Sequence, residues 1–244
     1  MKILIISDLH GNAEALSVLP QDYDQLWVLG DLVNYGPNPR EVIDFVRRRA
    51  TLVVSGNHDH AIAFDADPRC SRPYRAMAAE MAQFTQSVIT EEEKQYLRQL
   101  PLCITSKING SDCYLCHATP TDPLFAYCPP ESVGWEKEIH SVSPGYLLVG
   151  HTHLQFQREI DGRTILNPGS VGQPKTGAPQ ACFAVCSGAK VEFDAVPYPY
   201  EQTIEKIRGL GLTRGTEEGL VATLKSGSPP QPATATEHGA ATRA

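Results

Sequence analysis

Five apolar runs in this 244-residue chain each end in side chains able to bind a metal ion or move a proton. Asp8 and His10 follow "KILIIS", and Asp31 follows "QLWVLG". Asn57, His58 and Asp59 follow "TLVVSG", His117 follows "CYLC", and His151 and His153 follow "GYLLVG". A core strand needs only a cheap turn at its end, which Gly-Asn alone supplies. The additional imidazoles and carboxylates call for a ligand. Asp8, His10, Asp31, Asn57, His117, His151 and His153 make seven candidate metal ligands, and a mixed imidazole and carboxylate set suits Mn, Fe, Zn or Ni better than Mg or Ca. Asp8 and His10 are two residues apart, so extended backbone would point them to one face. His151 and His153 share that spacing and would serve two adjacent ions if the chain turns between them.

Taken singly, each residue has an ordinary explanation. Asp8 can cap the short helix that follows, Asp31 can belong to a turn, and Asn57-His58 is a common turn pair. The two imidazoles of "GHTH" gain nothing from burial unless paired. Five strand ends carrying such groups together point to one shared site, because open α/β sheets bind ligands outside the carboxyl ends of their strands.

The elements that must position these groups follow from the hydrophobic pattern. Continuous rather than alternating apolar runs predict strands buried on both faces. "NAEALSVLP" and "NPREVIDFVRRR" read as helices between the first three strands, the second with Asn38-Pro39 at its start. Strand–helix–strand units imply parallel pairing. Residues 72–100 read as helical, with "TEEEKQYL" capped at its start. Hairpins are predicted at Asp161-Gly162 and Ser187-Gly188, which makes the second half mainly antiparallel, a second sheet stacked on the first. "YEQTIEKIRGL" predicts a late helix. Residues 1–210 are assigned to a single domain. From Gly211 to Ala244 the Gly-, Pro-, Thr- and Ala-rich composition predicts a flexible tail.

Composition narrows the partners. Hydrophobic residues make up 41% and charged residues 20%, the balance of an ordinary soluble protein. A formal net charge of -7 argues against a nucleic-acid surface. The start of the chain has no secretory h-region, because Asp8 interrupts the apolar run, and no stretch is long enough to span a membrane. Seven cysteines, an odd set, read as buried thiols of a reducing, cytoplasmic compartment. Cys113 and Cys116 have CxxC spacing but lack the second pair of a structural zinc site.

Together the five blocks resemble the calcineurin-like metallophosphoesterases. The matching pattern is DxH (Asp8, His10), GDxx[DN] (Asp31, Asn34), GNH[DE] (Asn57, His58, Asp59), a separate His117, and GHxH (His151, His153), over residues 1 to about 172. "GDLVNYGPNP" and "LNPGSVGQPK" look like the small prokaryotic phosphodiesterase-like branch, with a likeness to diadenosine tetraphosphatases. The resemblance implies a four-layer αββα fold of two mixed sheets. It also implies two divalent metal ions bridged by Asp31, with manganese favoured and iron, zinc, nickel or cobalt compatible. Asp8, His10 and His153 would complete one site, and Asn57, His117 and His151 the other. A metal-bridging hydroxide would attack phosphorus, with the two ions roughly 3.5–4 Å apart. His58 would be the catalytic companion contacting the phosphate, Asp59 would orient it, and Asn34 would hold the substrate or support the site from behind its ligands. His60 reads as a surface residue.

The implied activity is hydrolysis of a phosphodiester or phosphomonoester in a small phosphorylated substrate, nucleotides included. Two competing readings are a non-catalytic metal-binding scaffold of the same fold and a protein phosphatase. The second block lacks the Arg that protein phosphatases place after it, and Asp59 stands where many of them have Glu. A nuclease would want a DNA-binding surface. "NPGSVGQP" (167–174) is expected to border the site, and an insertion around residues 64–100 could cap it.

Overall fold

The computed structural model describes residues 1–228 apart from Asn109 and Ala189. Its first part alternates strand and helix: β1 (Lys2–Ile6), α1 (Ala13–Leu16), β2 (Gln25–Val28), α2 (Pro39–Arg49), β3 (Leu52–Val53) and α3 (Asn57–Phe64). Two helices, α4 (Arg75–Val88) and α5 (Glu91–Gln99), lead to the hairpin β4 (Cys103–Ile108) and β5 (Ser111–Cys116). Then come α6 (Gly134–His140), β6 (Tyr146–Leu148), β7 (Gln155–Ile160) and β8 (Arg163–Pro168). The last elements are β9 (Gln180–Ser187), β10 (Lys190–Pro197), α7 (Tyr200–Arg208) and α8 (Arg214–Ser226).

The strands form two mixed five-stranded sheets, ordered β10-β9-β1-β2-β3 and β4-β5-β6-β8-β7. The continuous apolar runs are explained by what lies on each side. From β1, Ile3 and Ile5 face the other sheet, where they meet Leu115, Leu148 and Leu166. Leu4 and Ile6 face outward and pack with Val42, Ile43 and Val46 of α2. The outer face of the second sheet is covered by Trp135 and Ile139 of α6. Helices therefore flank a face-to-face pair of sheets, as the resemblance implied.

Two expectations are corrected. The hairpin around Ser187-Gly188 was expected in the second sheet, but β9 pairs antiparallel with β1, with Ile5 opposite Ala184, and extends the first sheet. A strand as buried as β1 needs a partner on each edge to satisfy its backbone groups, and the run "ACFAVC" is apolar enough to be covered on both faces. The second sheet draws instead on β4, a strand not read from the sequence, paired with β5.

The flexible tail is also corrected for its first part. Residues 214–226 form α8, whose Leu220 and Leu224 are buried one turn apart against Met77, Met81, Ile204 and Ile207 of α4 and α7. Average composition hid this period, because "TEEGLVATL" carries its apolar residues at helical spacing. The helix stops at Gly227, whose φ of 56° suits a left-handed cap. Residues 229–244 of the expected tail lie outside the described residues. Leu220→Ala should lower the unfolding free energy by about 2–4 kcal/mol, measured by chemical denaturation. A change below about 0.5 kcal/mol, the scale of a surface substitution, would show α8 to be peripheral.

Candidate active site

The seven candidate ligands leave the carboxyl ends of β1, β2, β5 and β6, joined by Asn57 at the start of α3. Asp8 and His10 do not share a face through extended backbone. β1 ends at Ile6, and both residues adopt left-handed backbone, with φ 54° and 45°. Asp31 (55°), His151 (64°) and His153 (64°) do the same. Side chains of Asp, Asn and His tolerate this region better than most. The turns it makes send neighbouring side chains in different directions, so His151 and His153 separate as the turning alternative required.

Two clusters flank Asp31, one of Asp8, His10 and His153 and the other of Asp31, His117 and His151, and His58 groups with His10 and Asp31 between them. In the first, His153 Nε2 lies 3.2 Å from His10 Nε2 and 3.2 Å from Asp8 Oδ1. In the second, His117 Nε2 lies 3.2 Å from Asp31 Oδ2, and Asn57 Oδ1 is 3.1 Å from both His117 Nε2 and His151 Nδ1. Asp31 Oδ2 also lies 3.8 Å from His10 Nε2, so this one oxygen faces both clusters.

Each carboxylate is oriented by the backbone. Asp31 Oδ1 accepts from the His58 N–H at 2.9 Å, and Asp8 Oδ2 accepts from the His151 N–H at 3.1 Å. Their second oxygens are left for the clusters. The Asp31 contact requires α3 to begin at glycine, because a Cβ on Gly56 would fall 2.1 Å from Asp31 Oδ1. Asn57 donates its Nδ2 to Pro68 O at 2.8 Å, which turns its oxygen inward.

The donor set fits cations. His10 Nδ1 faces Val33 O at 3.3 Å, and His153 Nδ1 faces Gln173 O at 2.6 Å. Both rings then carry their protons on Nδ1, which leaves two Nε2 lone pairs opposed at 3.2 Å. Such a contact is repulsive unless a cation stands between them. Asp8 Oδ1 is buried beside them with no hydrogen-bond partner. Burial pushes Asp31 toward neutrality, but His117 against it holds it well below the usual carboxylate range. Burial also pushes His117 down, yet Asp31 outweighs it and raises the imidazole to about 9. That pair keeps a proton where a metal ion would put its charge. Burial lowers His151 to about 3 and holds His10 well below its ordinary value, so their lone pairs stay available.

The expected role of Asp59 changes, and Asn34 takes the supporting one of its two expected roles. Asp59 does not reach His58. Its Oδ1 accepts from the Leu32 and Val33 N–H groups at 2.8 and 3.3 Å, and its Oδ2 from Gly56 N–H at 3.0 Å. With φ near helical from Asn57 onward, its position in the first turn of α3 aims the carboxylate at the loop after β2, not at His58. His58 has two partners: Asn34 donates Nδ2 to its Nδ1 at 2.8 Å, and Cys70 Sγ lies 3.5 Å from its Nε2. The Asn34 amide is fixed because its oxygen accepts from Tyr35 N–H and its nitrogen also donates to Ala78 O. His58 Nδ1 must therefore accept, placing the ring proton on Nε2. Burial lowers the His58 pKa to about 4. His60 is half-buried rather than on the surface, stacked against Phe64 outside both clusters.

A cavity of about 440 Å³ opens onto Asp31, Asn57, His58, His151 and His153. The insertion supplies Arg69, Cys70, Ser71 and Tyr74 to its wall, and the segment after "NPGSVGQP" supplies Lys175. "NPGSVGQP" itself borders the cluster: Ser170 Oγ donates to Asp8 O at 2.8 Å, and Gln173 holds His153. Tyr35, Phe125 and Tyr127 complete the wall and were not singled out from sequence, since an aromatic in a loop carries no periodic signal.

Comparison with known proteins agrees with this geometry. An uncharacterised protein of Methanocaldococcus jannaschii is 31% identical over 228 residues, covering 84% of this chain and 91% of its own. A metallophosphoesterase from Sphaerobacter thermophilus of known crystal structure is 31% identical, with a TM-score of 0.78 over 91% of this chain and all of the other. A symmetrical bis(5'-nucleosyl)-tetraphosphatase of Nitrosococcus oceani is 35% identical over 185 residues, 68% of this chain, which spans 64% of that enzyme's length. The model of the calcineurin-like phosphoesterase superfamily domain matches residues 1–189, and with these relatives and this site the chain belongs to that superfamily.

Proposed function

We propose that this protein is a metal-dependent hydrolase of a phosphodiester or phosphomonoester in a small phosphorylated substrate. The observation that carries the reading is the donor set itself. Two opposed imidazole lone pairs, an unpartnered buried Asp8 oxygen and an Asp31 oxygen facing both clusters are what two cations would satisfy. Asp8, His10 and His153 would hold one ion, Asn57, His117 and His151 the other, with Asp31 between them and manganese the proposed metal. Two divalent ions supply a water of lowered pKa and positive charge for the phosphoryl oxygens.

The chain's own residues do the rest. His58 lines the cavity and stays neutral at pH 7, so its Nε2–H can donate to a phosphoryl or leaving oxygen. Asn34 fixes that tautomer and orients the ring, the supporting alternative of the two roles expected from sequence. Asp59 ties the start of α3 to the loop after β2, and so keeps Asp31, Asn57 and His58 in register. His117 is oriented by donating Nδ1 to Leu29 O at 2.7 Å. Retention of all seven ligands and His58 favours hydrolysis over a scaffold role. All seven cysteines are free thiols, which supports the cytoplasmic setting, and no described helix is long and apolar enough to cross a membrane.

Chelated protein should be inactive on p-nitrophenyl phosphate and its bis ester, and regain turnover with Mn. Asp31→Asn should lower kcat/KM at least about 10³-fold, since one carboxylate serves both ions. Turnover that survives exhaustive chelation would sink the reading. Asn34→Ala should lower kcat about 10- to 100-fold, as loss of an orienting partner does, and also lower the melting temperature, because the buried Tyr35 N–H and Ala78 O lose their partners. Asp59→Asn should cost about 1–3 kcal/mol of stability through unpaired backbone N–H groups while leaving kcat of the folded protein nearly unchanged. A kcat loss in Asp59→Asn as large as that in Asn34→Ala would reject this division of roles.

A further inference from the structure

The cavity contains two cations that the ligand clusters do not use. Lys175 is half-buried on its wall, with Nζ 5.3 Å from the centroid of the Tyr74 ring. Arg69 lies across the mouth, its guanidinium stacked 4.2 Å from the Phe125 centroid. Neither has a carboxylate partner among the described residues. Some basic side chains away from the cavity are paired, such as Arg40 with Glu93 at 3.1 Å and Arg47 with Glu92 at 2.7 Å. A half-buried ammonium that faces a cavity without a counter-ion is costly to hold unless an anion visits it. Lys175, half-buried beside the Tyr74 ring, is the less hydrated of the two, which strengthens its attraction for such an anion, while Arg69 is exposed and adds its charge from the rim.

Charge balance limits what the anion can be. Asp8 and Asp31 are the only carboxylates among the ligands, so two divalent ions would leave the clusters positive without help from Lys175 or Arg69. A diester brings a single negative charge, and a monoester about two near neutrality. Two further cations match a substrate with another ionised group beyond the phosphoryl being cleaved. The cavity, about 440 Å³, falls in the range that holds an organic ligand rather than phosphate alone. Its mouth presents Tyr127, which is 59% exposed, as a flat surface. Base-on-aromatic stacking of this kind is worth about 1–3 kcal/mol.

We infer that Lys175 and Arg69 form a second anion subsite beside the metal clusters, and that the substrate class is a nucleotide bearing two or more linked phosphoryl groups, with its base against Tyr127. The inference rests on the hydrolase reading for the site, but its binding test does not depend on turnover. Phosphoryl oxygens of the non-reacting group accept from Lys175 Nζ and the Arg69 guanidinium, and this fixes which phosphorus lies over the clusters.

The test is calorimetric binding to the full-length chain in Mn, with methylphosphonate, methylenediphosphonate and α,β-methylene-ADP as ligands that resist hydrolysis. The wild type should prefer the diphosphonate to the monophosphonate by about tenfold or more, the scale of one hydrogen bond to a charged group. Lys175→Met and Arg69→Met should each remove most of that preference, and Lys175→Arg should restore it. Tyr127→Ala should weaken α,β-methylene-ADP and leave the diphosphonate unaffected. If the preference is missing in the wild type, or survives in both methionine variants, the subsite does not exist. If Tyr127→Ala binds the nucleotide analogue like the wild type, the nucleotide class is wrong. Turnover of p-nitrophenyl phosphate, its bis ester and ADP by the wild type is scored separately. Its absence with the diphosphonate preference intact would reject the hydrolase and keep the anion subsite, while its presence without the preference would reject the subsite alone.

Discussion

The contact on which the rest of the site depends is the hydrogen bond from the His58 N–H to Asp31 Oδ1. It joins the end of β2 to the first turn of α3 and fixes which oxygen of Asp31 looks outward. That outward oxygen faces His117 on one side and His10 on the other, so the separation of the two clusters is set by one carboxylate. A helix N-terminus is a natural place for such a contact, because its first N–H groups have no intrahelical partner and its dipole favours negative charge. The bond holds Asn57 and His58 at the same time, since they are the first two residues of that helix.

Around this contact the fold acts as a frame. Two sheets, each covered on its outer face, bring the ends of β1, β2, β5 and β6 to one edge of the double layer. Backbone carbonyls at Leu29, Val33 and Gln173 then select which ring nitrogen of His117, His10 and His153 is left for a ligand. Most second partners of the ligands are main-chain atoms rather than side chains. Main-chain atoms move only if the fold moves, so the site inherits the rigidity of the sheets.

Much of this was legible in the sequence, and the failures have physical causes. The ligands could be found because each follows an apolar run, and burial on both faces removes the alternation that would otherwise blur a strand's end. The hairpins at Asp161-Gly162 and Ser187-Gly188 were visible in their turn residues, but the edge that β9 joins was not. Pairing is decided by which strand has an open edge, a property of the assembled sheet. That Asn34 rather than Asp59 orients His58 was hidden for a similar reason. Their spacing from His58 says how far apart they lie along the chain, but the direction of each side chain depends on the turn after β2, where Asn34 has φ 74°. The helix α8 was lost to averaging, because the Gly-, Pro-, Thr- and Ala-rich run to Ala244 masks a segment whose buried apolar positions are Leu220 and Leu224.

The left-handed backbone at Asp8, His10, Asp31, His151 and His153 has a consequence for how this chain can diverge. At those positions selection acts twice, once on ligand chemistry and once on a backbone shape that few side chains accept. A lineage released from catalysis would still be confined there to Asn, Asp, His or Gly, while larger or β-branched residues would unfold the strand ends. Relatives that have lost the chemistry can therefore keep sequences that look almost intact at these sites. The difference between an active and a silent copy would lie in single-atom exchanges such as Asp for Asn.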